Sequence, residues 1–184
     1  MSSPHSELTP PGGGSRSTPL ARIPVGVVVE RRKADSPWQD FLYRPVAVLA
    51  GAPVATPWTV ISSDRDVTTL YAGLAVIELH RTETANYRDN LASGRPLLWV
   101  VLRPTSGAAG FDLFMVTVDP AEGEALTGAG NDLVEAVSMP LSISEIVDRF
   151  IAEHHVEQPF FKRQRDRSGA QSPVSRSGAS QEDE

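Results

Sequence analysis

The stretch 78–91, ELHRTETANYRDNL, sets the fold, because it is a strand-to-helix junction with strand-like sequence on both sides. Glu78 and His80 share one strand face by two-residue alternation, whereas Tyr87 and Leu91 stand four apart on one face of a helix. Thr82 is placed to cap that helix, with Glu83 in its first turn, and Gly94-Arg95-Pro96 ends it. Much of the polarity of the segment is therefore accounted for by helix building. Glu78, Glu83 and Asp89 alternate with Arg81 and Arg88, which makes local ion pairing the simpler account of the charges.

Toward the N-terminus the pattern is strand after strand. Val25, Val27 and Val29 share a face within 23–32, and Glu30, Arg31 and Arg32 end that run. A turn follows at Asp35-Ser36-Pro37, then a short helical turn over Trp38–Phe41 and a strand over Arg44–Leu49. Gly51–Pro57 is a loop, with further strands expected over Trp58–Ser62 and Leu74–His80. Toward the C-terminus, Leu97–Arg103 and Phe111–Val118 are strands, and LLWVVL lacks alternation, as expected of a central strand buried on both faces. Asp119-Pro120-Ala121-Glu122 opens a helix with a capping Asp and a proline at the first position. A last strand is expected over Leu133–Met139. Ser142-Ile143-Ser144-Glu145 reads as a capping box, with Leu141 and Ile146 as its hydrophobic staple. Ile143, Ile146, Val147, Phe150 and Ile151 then share one helical face, and His154 and His155 lie in the last turn. Strands outnumber helices and follow one another without intervening helices in the first half. The expected fold is α+β, an antiparallel or mixed sheet packed by two or three short helices.

The ends differ from the middle. Residues 1–21 and 162–184 are rich in Ser, Pro, Gly or charge and are expected to be disordered, the second basic and then acidic, which leaves 22–161 as one globular domain. At 184 residues, 40% hydrophobic and 22% charged, the chain has the composition of a soluble globular protein. It contains no cysteine, which excludes disulfides, thiol catalysis and cysteine-ligated zinc or iron–sulfur centres. The first 20 residues lack the basic start and apolar run of a secretory signal, and no apolar stretch reaches the length of a membrane span, so a cytoplasmic protein is expected. The net charge of −6 counts against binding nucleic acid by the chain as a whole.

Catalytic signatures are sparse. Gly12-Gly13-Gly14 lacks the Lys and Ser/Thr of a phosphate loop, Gly128 and Gly130 precede a strand rather than a helix, and no Gly-x-Ser-x-Gly elbow exists. Glu78 with His80, or His154 with Glu157, would supply two metal ligands where three or four are needed, so neither a metal nor a cofactor is expected. Two groups carry candidate binding chemistry. Arg31, Arg32 and Lys33 lie near Trp38 and Arg44, where guanidinium groups could stack on an indole or recognise an anion. Phe160 and Phe161 precede Lys162, Arg163, Arg165 and Arg167, a mixture that suits an acidic partner surface or single-stranded nucleic acid, or else packs its rings and leaves its charges in water. His80, Arg81, Tyr87 and Arg88 in the opening segment complete the candidates.

Three segments together resemble a known family: VGVVVERRKADSPWQDFLYRPVAVL at 25–49, IELHRTETANYRDNLASGRPLLWVVLRP at 77–104, and 116–167 from VTVDPAEGEAL through LVEAVSMP to EHHVEQPFFKRQRDR. The family is an uncharacterised proteobacterial domain of unknown function, often encoded beside formate dehydrogenase and molybdoenzyme maturation genes. The resemblance brings no catalytic or ligand residues; it implies a setting, accessory to formate dehydrogenase. Three readings follow. The first is a non-catalytic accessory protein whose partner is a protein, a formate dehydrogenase subunit or maturation factor. The second is a binder of a small anionic ligand such as a pterin phosphate, through Arg31, Arg32, Arg81 and Arg88. The third is nucleic-acid binding through 160–167. An enzyme comes last, since no nucleophile, base and metal set converges.

Overall fold

The computed structural model describes residues 18–128 and 130–156. The valine run predicted as a strand belongs to β1 (Ala21–Ser36), which pairs antiparallel with β2 (Gln39–Ala50) on one side and β4 (Val67–Leu79) on the other. With β3 (Thr59–Asp64) on β4, the order of this first sheet is β2-β1-β4-β3. A second antiparallel sheet has the order β6-β5-β7, with β5 (Leu97–Pro104) between β6 (Phe111–Thr117) and β7 (Leu133–Ser138). β4 lies beside β6, where Gly73 faces Leu113, and β2 lies beside β7, where Arg44 reaches Glu135 at 3.9 Å. The two sheets thus approach each other along both sides and enclose one core.

That core follows from the alternation. Val25, Val27 and Val29 are fully buried, and they meet Leu98, Val100 and Leu102 of β5 in one cluster. β5 is central and also buried on its second face, where Val101 is inaccessible and Trp99 is covered by α2 (Pro120–Thr127). A Cβ on Gly123 would lie inside the Trp99 ring, so the helix approaches this closely only because that residue is glycine. α1 (Thr84–Ala92) and α3 (Leu141–His154) pack on each other at the end of the sheets marked by Leu79. Ile143, Val147, Phe150 and Ile151 of α3 are buried there, as the helical spacing predicts, whereas Ile146, read on the same face, is 40% exposed. The architecture is α+β with two antiparallel sheets and three helices among the described residues.

Four local expectations are corrected. Trp38–Phe41 is not helical; the chain turns at Pro37 and Trp38, and β2 begins at Gln39 because its backbone pairs with β1 as far as Ser36. β4 begins at Val67, well before Leu74, since its first residues pair with both β1 and β3. Thr82 does not cap α1: Arg81–Glu83 form a 3₁₀ turn, and Glu83 at the cap position makes no side-chain cap bond. The Ser142 capping box does not form either, because α3 starts two residues earlier, after Pro140, and the Ser144 hydroxyl donates to the Leu141 carbonyl instead. Leu141 is 75% exposed, so there is no staple.

Because β2 and β3 lie at opposite edges of the first sheet, the chain between them must cross β1 and β4. It does so on the outer face, directly over Gly26, where Pro53 and the Tyr71 ring leave no room for a Cβ. Tyr71 donates its hydroxyl to the Pro53 carbonyl at 3.3 Å, which pins the crossover.

Candidate functional site

The junction read first in the sequence becomes a polar joint between α1, α2, α3 and the second sheet. Asn90, 5% exposed, donates through Nδ2 to the carbonyls of Leu97 (2.8 Å) and Val118 (2.9 Å) and accepts from the Leu97 amide (3.0 Å). One side chain thereby fixes the end of α1 to the start of β5 and the exit of β6. Asn86 donates to both carboxylate oxygens of Asp119 at 3.0 and 3.1 Å. Asp119 also accepts from the Ala121 amide at 2.9 Å, the predicted cap of α2.

Tyr87 is 2% exposed and packs on Phe150, with ring centroids 6.3 Å apart. Its hydroxyl accepts from the His80 amide at 3.1 Å. Burial pushes the phenol up to about 12; the His80 hydrogen bond works against that, and the charges of Asp119, Glu83 and Glu122 add to it. A ring so placed belongs to the core.

Behind it runs a directed chain of hydrogen bonds. A guanidinium can only donate, so Arg88 Nη1 at 3.0 Å makes Nε2 of His155 the acceptor and places the ring proton on Nδ1. Nδ1 faces Thr84 Oγ1 at 3.0 Å, and that hydroxyl donates to the Arg81 carbonyl at 3.0 Å. His155 therefore ties the end of α3 to both ends of the α1 entry turn. The carboxylates near this joint follow the alternation in part, Asp89 pairing with its neighbour Arg88 but Glu78 with Arg22 of β1. Glu78 pairs with Arg22 at 3.0 Å, and Arg88 lies 3.9 Å from Asp89.

The other candidates lie elsewhere. Arg81 and Arg88 sit beside Leu79, whereas Arg31 and Arg32 are about ten residues up β1, roughly 30 Å away. The four arginines do not form one anion cradle. Trp38 is 94% exposed and no ring or guanidinium among the described residues stacks on it; the guanidinium of Arg31 lies instead over Phe41, 4.6 Å from the ring centroid. Arg32 pairs with Glu30 at 3.0 Å. Phe160, Phe161, Lys162, Arg163 and Arg165 lie outside the described residues, as do Arg167 and Glu157. Among the described residues no three His, Asp or Glu side chains converge as a metal site, and no helix is long and apolar enough to cross a membrane.

Two features had no signature in the sequence. Arg103 grips Asp132 with two hydrogen bonds, 3.0 and 2.7 Å, while stacking 3.5 Å over Phe114, and this guanidinium holds the Asp132 carboxyl below its usual range. The second is apolar. Leu49 and Leu74 flank Gly26 in register, and Val76 follows Leu74 on the same outer face. They are 40%, 53% and 44% exposed, bordered by the Arg22–Glu78 pair and by Val54 of the crossover.

The family model described as "Protein of unknown function (DUF3305)" matches residues 24–165, and the chain belongs to that family. No curated protein and no solved structure matches the chain.

Proposed function

We propose that this member of the DUF3305 family is a non-catalytic accessory protein that docks a protein partner on the outer face of its first sheet. The observation that carries the reading is the exposed apolar pair Leu74 and Val76, with Leu49 exposed on the other side of the crossover that covers Gly26. The solvent face of an antiparallel sheet ordinarily carries polar side chains, and a contiguous apolar patch with a charged rim is the composition of an interaction surface. The polar residues of the α1 joint support the same reading from the other side. Asn90, Asp119, Thr84 and Tyr87 are occupied by bonds that hold elements together, which leaves them no role toward a substrate. The partner proposed is a subunit or maturation factor of a molybdenum-dependent formate dehydrogenase. That choice rests on the gene setting of the family the sequence resembles, and cytoplasmic action goes with it.

The test is capture of tagged chain from a host that makes formate dehydrogenase, with Leu74→Glu/Val76→Glu as the control. Both positions are half exposed, so the double variant should fold. A formate dehydrogenase subunit or maturation protein should be recovered with the wild-type chain and lost with the variant. Normal formate dehydrogenase activity after deletion of the gene, with no such protein recovered, would sink the reading.

A further inference from the structure

Along the inner face of β1 the alternation runs Ile23, Val25, Val27, Val29 and then Arg31. Four apolar side chains are followed by a cation on the same face. Tyr43 stands directly opposite Arg31 across the β1–β2 pair, and Phe41 lies under its guanidinium. Tyr43 in turn meets Trp58 edge-on, centroids 6.1 Å apart, and Phe111 at 5.1 Å. Trp58 is held at φ 63°, a left-handed conformation that bulky side chains rarely adopt, so the chain keeps the indole in place against its own backbone preference. Arg31 thus lies over Phe41 and opposite Tyr43, the first ring of a Tyr43–Trp58–Phe111 group, at the end of the core remote from α1 and α3.

One of its donors is unanswered there. Nε of Arg31 is buried and makes no hydrogen bond among the described residues. The neighbouring arginines are neutralised: Arg32 by Glu30, Arg44 by Glu135 and Arg103 by Asp132. Glu30, the acid next in sequence, points with Arg32 to the other face of the strand. A buried donor without an acceptor calls for one, and the stacking over Phe41 answers the charge of the guanidinium but not its Nε–H. A guanidinium fork matches the two oxygens of a carboxylate or phosphate, and an exposed Phe41 with the half-buried Tyr43 matches a flat ring.

We infer that Arg31, with Phe41 and Tyr43 beside it and Trp58 and Phe111 packed on Tyr43, binds the phosphate or carboxylate of a planar aromatic anion. The site is separate from the apolar outer face and stands or falls independently of the docking partner. The experiment is an NMR titration of the full chain with adenosine monophosphate and with benzoate. Adenosine and inorganic phosphate supply the ring and the anion alone. At least one of the two aromatic anions should saturate shifts at residues 31, 43 and 58, about tenfold more tightly than either control, as expected for a charge-assisted hydrogen bond. Which of the two binds distinguishes phosphate from carboxylate. Arg31→Met, which keeps the stem over Phe41, should weaken binding by about tenfold or more, and Arg31→Lys, which keeps the charge without the fork, should also weaken it. Should Arg31→Met not fold, Arg31→Lys decides alone. No saturable binding of either anion, equal binding of a control, or affinity unchanged in the folded Arg31 variant overturns the inference.

Discussion

Replacing Asn90 with alanine removes three hydrogen bonds at once and leaves the two carbonyls of Leu97 and Val118 and the Leu97 amide short of a partner inside the joint. Each such bond contributes on the order of 1 kcal/mol net, and stranded buried groups add to the loss, so the variant should be destabilised by about 3 kcal/mol. Equilibrium urea unfolding followed by tryptophan fluorescence and circular dichroism reads this directly. With a slope of about 2 kcal/mol per molar, the midpoint should fall by roughly 1.5 M. Asn90→Asp tests the geometry rather than the volume. It turns the Nδ2 donor into a carboxylate oxygen facing two carbonyl oxygens at a position 5% exposed, and it should cost at least as much as alanine. Asp89→Ala, one residue away on the exposed side of α1, should stay within about 0.5 kcal/mol of wild type. A loss below about 1 kcal/mol for Asn90→Ala would show that the joint is not held by this side chain, and the argument that these polar groups are structural would lose its main support.

Gly123→Ala should destabilise by about 1–3 kcal/mol, because its methyl enters the Trp99 ring, even though alanine favours the helix by about 1 kcal/mol. Chemical denaturation of Gly123→Ala, Trp99→Leu and the double variant checks it; strictly additive losses would reject the contact. The Tyr87 phenol, at about 12 when folded against an ordinary 10.0, favours the folded state fully below pH 10, and that contribution is lost as pH rises toward 12. Between about pH 9 and 11.5 the wild type should lose roughly 1–2 kcal/mol more than Tyr87→Phe, allowing for residual solvent screening; equal losses would refute the burial of the hydroxyl.

What could be read in the sequence was what local spacing controls. The valine alternation in β1, the Asp119 cap and the apolar face of α3 each depend on residues within a few positions of one another, and each stands in the structure. Trp38–Phe41 looked helical in isolation, but ladder bonds to a strand already extended as far as Ser36 outweigh local preference. Thr82 looked like a cap, yet the entry to α1 is fixed by the Tyr87 hydroxyl on the His80 amide and by His155, which lies 71 residues from Thr84. The Arg103–Asp132 grip and the Leu49–Gly26–Leu74 row have no local trace at all, since strand pairing alone brings their members together.

The basic run Arg31, Arg32, Lys33 shows why adjacency misleads on a strand. Three neighbouring cations suggest one electropositive patch, but successive strand residues point to opposite faces. Arg32 therefore joins Glu30 in water, while Arg31 continues the row that begins at Ile23. The residues that hold the fold are those whose hydrogen bonds are complete, as at Asn90 and Asp119. The residues open to a partner are those the fold leaves incomplete, and two such places bear on the proposals. One is an outer face where Leu74 and Val76 meet water, and the other is an inner-face arginine whose Nε meets nothing. They lie on opposite faces of the first sheet. Leu74→Glu/Val76→Glu should therefore abolish partner capture without touching anion binding, and Arg31→Met should do the reverse, so each surface can be lost while the other is kept.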